Sequence, residues 1–183
     1  MKRIIKIFSR FLGGREDAEL TYLKNEGLRI GKNLRNHSKY AFDSLFPWLI
    51  SVGDNVCISS NVKILAHDTS TEYVNGLTKI GIVEIGDNVY IGYNTIILCD
   101  VRIGSNVIIG AGSVVTKDIP EGTVYAGNPA RFICNIEDFK EKHSKRQGEY
   151  YVYEGPLDIW GKKENADKVK MREELQEHFG YMK

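Results

Sequence analysis

The chain has no long apolar run. Nothing in its 183 residues approaches the roughly 20 consecutive apolar residues that a membrane span needs. It has no surplus of charge: Lys+Arg total 25 against Asp+Glu 24, a net +1. That balance argues against bulk nucleic-acid binding. Cysteine is scarce, limited to Cys57, Cys99 and Cys134. An odd count without a signal peptide predicts a reducing, cytoplasmic setting. Residues 1–12, MKRIIKIFSRFL, do not read as a signal peptide, because charges interrupt the apolar stretch. Histidine is limited to His37, His67, His143 and His178. The length suffices for one domain with a good core.

What the chain does have is a repeat. Residues 85–120 read IGDNVY IGYNTI ILCDVR IGSNVI IGAGSV VTKDIP. Every sixth residue is aliphatic: Ile85, Ile91, Ile97, Ile103, Ile109, Val115. Gly follows four of these, at Gly86, Gly92, Gly104 and Gly110. A period of six fits neither a helix nor simple strand alternation. It is the signature of a parallel β-helix, with three hexapeptides making a triangular coil of about 18 residues. The aliphatic residue points inward and stacks on its equivalent one coil away. Val89, Val101, Val107 and Ile119 supply a second inward layer. The glycines mark corners where a Cβ would be crowded or φ must be positive. Asp87-Asn88 and Ser105-Asn106 are turn formers at those corners.

Residues 1–12 predict an amphipathic helix with Ile4, Ile5, Ile7, Phe8, Phe11 and Leu12 on one stripe. Peripheral membrane contact and packing on protein both stay open for it. A second helix is expected over 16–25, stopped by Gly27. The repeat frame is clean at Val52, Ile58 and Ile64. Counting back by six gives Phe46, Tyr40 and Leu34, with a bulged coil over 42–51. Between Ile64 and Ile85 the frame breaks, and a loop of about 70–84 is extruded. Such loops usually carry function. Pro120 ends the repeat and Pro129 closes it. A helix is expected from Asn135, then an aromatic segment with Tyr150, Tyr151, Tyr153 and Trp160. A last helix over 166–179 is expected to be capped by Asn165, with a stripe of Met171, Leu175 and Phe179. The organisation is therefore 1–29 helical, 30–133 β-helix, 134–183 helical and aromatic.

The stretch 42–133 resembles the hexapeptide-repeat acyltransferases. Within them it looks most like the maltose and galactoside O-acetyltransferases and those of bacterial surface-polysaccharide synthesis. The motifs are FPWLISVGDN, NVKILAHD, VEIGDNVYIG, IGAGSVVTKDIP and AGNPARFI. Their order, with a histidine and a loop before the repeat, is specific. The resemblance implies a mainly β fold whose solenoid coils left-handed. It implies a homotrimer with active sites between subunits, and acetyl-CoA as donor with its pantetheine arm between neighbouring solenoids. The acceptor implied is a hydroxyl of a sugar, free or nucleotide- or lipid-linked.

A sugar hydroxyl is a poor nucleophile at neutral pH and needs a base. An imidazole taking its proton typically contributes 10²–10⁴-fold. His67, in ILAHDT at the corner before the loop, matches the position of the family's catalytic histidine. Asp68 is a candidate to orient the imidazole, support the loop or make the turn. Asp43, in the bulge, and Glu84 are further acidic candidates, Asp43 for acceptor or histidine contact. Tyr73 and Lys79 are candidate sugar contacts. Some relatives carry Trp where this chain has Tyr90, which leaves Tyr90 to stack on pantetheine or pack at a trimer seam. The oxyanion is then expected to take a backbone N–H. The match carries the cofactor side onto Tyr93, Gly110, Ala111, Thr116 and Lys117. Lys117 and Arg131 are candidates for phosphate oxygens, Arg through a forked contact. A corner residue and two solvated cations are the plainer alternative.

Cys57 and Cys99 lie inside repeat units, where Cys packs as a small apolar residue. Direct transfer is therefore the simpler mechanism. A γ-class carbonic anhydrase needs three histidine ligands, and only His67 lies within the repeats proper. No metal is expected. A non-catalytic scaffold should lack a base at the loop corner. N-acetylation of an amino sugar or antibiotic remains an alternative, since one imidazole serves either acceptor.

Overall fold

The computed structural model describes residues 18–155 and 162–182. The expected helix over 1–12, the start of the second helix at Glu16 and Trp160 lie outside those residues. The described chain divides into two compact units, with the boundary between Ile136 and Glu137. Among the described residues no helix is long and apolar enough to cross a membrane.

The first unit opens with a helix, Ala18–Asn25, that buries Leu23. Gly27 ends it at φ +102. Three parallel sheets follow, and successive strands fall in them in rotation. The first sheet holds Arg29–Ile30, Ile50–Val52, Val83–Ile85 and Val101–Ile103. The second holds Arg35–Asn36, Cys57–Ile58, Tyr90–Ile91, Ile108–Ile109 and Thr123–Ala126, and Arg131–Asn135 closes it antiparallel. The third holds Lys63–Ile64, Ile96–Ile97 and Val114–Val115.

The register follows the sequence period. Ile85 pairs with Ile103, Ile91 with Ile109 and Ile97 with Val115, each partner three hexapeptides further along the chain. All six are buried, with Val89, Val101 and Val107 beside them. Three expectations need correction. Ile119 is not in the second layer. It bridges Ile103, so the last circuit closes two residues short of three hexapeptides. Two other positions of that layer hold polar side chains, Thr95 and Ser113, both fully buried under the third sheet. Their hydroxyls donate to the Gly110 carbonyl at 3.2 and 2.6 Å, and Ser113 Oγ accepts from Gly127 N–H at 3.1 Å. An interior hydroxyl satisfied by backbone costs little.

The first circuit is also framed differently. Ile30, Asn36 and Phe42 pair with Val52, Ile58 and Ile64, so each of these steps is longer than three hexapeptides. The excess chain lies between Phe42 and Ile50, inside the expected bulge. Counting back by six through that bulge selects Leu34, Tyr40 and Phe46, and Tyr40 is 69% exposed. The extruded loop is displaced as well. Val52 pairs with Ile85, and the long excursion of that circuit lies between them. It occupies 67–81 rather than 70–84, because Gly81 N–H already bonds to Ala66 O at 2.9 Å. His67–Asp68 and Lys79–Ile80 pair antiparallel as the stem of the loop. A short helix, Glu72–Asn75, forms its tip and ends at Gly76 in the left-handed region.

The corners resolve the glycine alternative in favour of crowding. A Cβ on Gly92 would lie 2.5 Å from the Ala111 backbone nitrogen. None of Gly86, Gly92, Gly104 and Gly110 has a positive φ; between the first and second sheets asparagines take it, with Asn33, Asn55, Asn88 and Asn106 between +56° and +58°. Their side chains hydrogen-bond in a ladder, Asn33 to Asn55 to Asn88 to Asn106, at 2.9, 3.1 and 3.3 Å. Asn tolerates this backbone better than other side chains. Gly92→Ala should therefore lower stability by about 1–3 kcal/mol, since backbone must move to admit the methyl. Denaturant unfolding of the purified protein checks this.

The helix Ile136–Gln147 starts just after Asn135 as expected, and all of it from Glu137 on belongs to the second unit. Val152–Tyr153 pairs parallel with Tyr181–Met182. The last helix is Asn165–Glu174, shorter than expected, with Glu164 at its N-cap position and no side-chain cap. Leu175 and Phe179 fall beyond it. Phe179 stacks on Tyr150 with centroids 4.9 Å apart.

Candidate active site

Each circuit turns three corners, and one corner collects most of the chemistry. It joins the third sheet to the first. The 43–49 bulge, the 67–81 loop and the 116–118 turn all leave the stack there, one above another. Asp43 follows Phe42 directly, and its N–H bonds to Ile64 O at 2.9 Å. That bond places the carboxyl under the start of the loop.

Asp43 is buried, and its carboxylate takes three donors. Oδ1 accepts from Leu45 N–H at 3.0 Å, and Oδ2 from Ala66 N–H at 2.9 Å. Oδ2 also meets His67 Nδ1 in a close contact. Burial pushes the Asp43 carboxyl up, but the bonds from Ala66, His67 and Leu45 outweigh it and hold it below the ordinary carboxylate value. A carboxylate only accepts, so His67 Nδ1 carries a proton, and in the neutral ring the lone pair is on Nε2. The imidazole side chain is 22% exposed. On one flank the Phe46 ring lies 5.4 Å from it, centroid to centroid.

This arrangement has a stability signature. A carboxyl depressed in the folded state stabilises it above the unfolded pKa of about 3.9, and that stability is lost as pH falls through the folded value. Asp43→Asn should lower the unfolding midpoint at pH 7, by about 1–3 kcal/mol for a buried acceptor with misplaced donors. The gap to wild type should narrow below about pH 4. Urea titrations at the two pH values test this.

The other expected site residues are spread more widely. Asp68 is exposed and accepts from Ser70 N–H at 2.9 Å, starting the 3₁₀ turn Thr69–Thr71. The Ser70 side chain and N–H hold its carboxyl below the ordinary value. It makes the turn rather than holding the imidazole. Tyr73 stands on the loop tip, 96% exposed, and Lys79 pairs opposite Asp68 in the stem. Thr116 and Lys117 are exposed on the same corner as His67. Tyr93, Gly110 and Ala111 lie on the corner between the second and third sheets, where Gly112 N–H bonds to Tyr93 O at 2.7 Å. Glu84 faces out from the first sheet, paired with Arg102 Nε at 2.9 Å. Tyr90 faces out from the second, its hydroxyl accepting from Ser59 Oγ at 3.1 Å. Arg131 is exposed on the closing strand and bonds to Ala130 O at 3.0 Å.

One chain thus brings His67 and Asp43 together and puts Thr116 and Lys117 on their edge. Tyr90, Tyr93, Gly110, Ala111 and Glu84 sit on other faces. Two groups escaped the sequence reading: Phe46, assigned to the core by the misplaced frame, and the Ala66 N–H, which no side-chain pattern reveals. Cys99, on the same edge, is buried, and burial pushes its thiol up. It is a poor nucleophile.

Residues 82–117 match the family described as bacterial transferase hexapeptide (six repeats). Over 138 residues the chain is 38% identical to YvoF of Bacillus subtilis (strain 168), named as a candidate acetyltransferase. That match covers 75% of this chain and 76% of YvoF. The chain is 39% identical to the galactoside O-acetyltransferase of Escherichia coli (strain K12), over 63% of this chain and 57% of that enzyme. A solved galactoside acetyltransferase in complex with coenzyme A superposes with a TM-score of 0.53 at 30% identity, covering 76% of this chain and 82% of that one.

Proposed function

The chain belongs to the hexapeptide-repeat acetyltransferases, and from that premise we propose that it moves an acetyl group from acetyl-CoA to a hydroxyl of a sugar or surface-polysaccharide precursor, with His67 as general base. The observation that carries this reading is the buried Asp43 carboxylate on Nδ1 of His67, which leaves Nε2 open at the loop corner. Nε2 takes the acceptor hydroxyl's proton as that oxygen attacks the thioester carbonyl. The C–S bond then breaks, and the proton passes from the imidazolium to the departing thiolate. Asp43 fixes the tautomer and stabilises the imidazolium in between.

The three-hexapeptide register supports reading the three sheets as one left-handed solenoid of the family type. Three copies then form a trimer, which explains why the remaining candidates face other directions. Tyr90, Tyr93, Gly110, Ala111 and Glu84 complete the site of an adjacent copy. Gly110 and Ala111 leave backbone accessible to the pantetheine amides. Lys117 and Arg131 are the cations for the donor's phosphates.

Incubation with acetyl-CoA and a panel of sugars and nucleotide-sugars, followed by mass analysis, tests the proposal. The expected product gains one acetyl group that mild alkali removes, as an ester requires. An alkali-stable acetyl group would assign N-acetylation instead.

A further inference from the structure

Resting on the acetyl-transfer reading above, we propose that Trp48, backed by Phe46, is an aromatic ledge on which the apolar face of a pyranose acceptor stacks beside His67. The bulge that displaces the first circuit supplies both Asp43, on Nδ1, and Phe46, on the flank of the imidazole. Phe46 in turn meets Trp48 edge-on, with centroids 5.6 Å apart and planes at 66°. Phe46 is half-buried and packs on the core, whereas Trp48 is 51% exposed. The aromatic surface therefore runs from the imidazole outward to solvent.

The ledge is rigid. Trp48 lies in the 3₁₀ turn Pro47–Leu49, with Pro at its start. Gly27, at φ +102, comes so close beneath it that a Cβ there would lie 2.8 Å from Trp48 Cβ. A rigid aromatic surface loses little freedom on binding. Among the described residues none accepts a hydrogen bond from Trp48 Nε1, so this donor is available to a ligand. An indole with one apolar face and one free N–H suits a ring with C–H bonds on a face and hydroxyls on its rim. A pyranose has that form, and an acyclic alcohol does not. With its face on the indole, its rim can reach Nε2 of His67.

The test compares wild type, Trp48→Ala, Trp48→Phe and His67→Ala in acetyl transfer to maltose and to methyl β-galactopyranoside. Trp48→Ala should raise the acceptor KM about five- to tenfold, the range of one aromatic contact. KM for acetyl-CoA and assembly size should not change, and Trp48→Phe should keep most of the affinity. The chain has two tryptophans. In a Trp160→Phe background Trp48 is thus the sole tryptophan, and its fluorescence, excited at the red edge where tyrosine does not absorb, should shift as either sugar is added. An unchanged acceptor KM, a silent fluorescence titration, or a smaller assembly in Trp48→Ala would overturn the ledge. Failure of the underlying reading looks different: His67→Ala would then transfer acetyl as fast as wild type, whatever Trp48 does.

Discussion

His67→Ala should lower kcat for acetyl transfer by about 10²–10⁴-fold, the usual contribution of a positioned general base. KM for acetyl-CoA should stay near the wild-type value, because the substitution removes a group that acts on the acceptor proton. The protein should remain folded. Asp43 loses one of three donors but keeps the N–H groups of Leu45 and Ala66, so its carboxylate is not left bare. His67 is at the stem of a surface loop, and trimming it opens no cavity in the stacked aliphatic core. The variant thus separates chemistry from structure: steady-state kinetics should move while assembly size and circular dichroism do not.

Asp43→Asn should cost kcat a comparable amount, about 10²-fold or more, by acting through the histidine. Oδ2 accepts from both Ala66 N–H and His67 Nδ1. An amide has one oxygen. If that oxygen stays on Ala66 and His67, its NH₂ confronts Leu45 N–H. If it turns to Leu45, the NH₂ confronts Ala66 N–H and His67 Nδ1, which favours the wrong tautomer. Either way the negative charge that steadies the imidazolium is gone. A positioning role predicts that kcat falls while KM for acetyl-CoA holds. A purely structural role would lower stability alone and leave kcat per folded molecule intact.

How much of this could be read from the chain depended on where its period held. From Ile85 to Val115 the sixfold spacing is unbroken, and every aliphatic position in it is buried. The corner asparagines were legible as turn formers, but not as the residues that take positive φ, because glycine competes for that role on general grounds. The first circuit was misframed because the bulge leaves aliphatic and aromatic residues on both sides of the break. The loop was misplaced for a similar reason: Ile80 and Ile82 prolong the apolar pattern and hide where the frame resumes. Thr95 and Ser113 look like turn residues, and only the Gly110 carbonyl nearby makes their burial tolerable. His67 was visible through its place before the loop. Its link to Asp43 spans a full circuit and depends on the bulge, so one sequence offers two candidate partners, Asp68 and Asp43, and the fold selects between them.

The most direct test is CoA thiol release from acetyl-CoA with the sugar panel, wild type against His67→Ala at equal assembly size. The account predicts acceptor-dependent release in wild type that falls by about 10²–10⁴-fold in the variant. Equal release from the two proteins would contradict it.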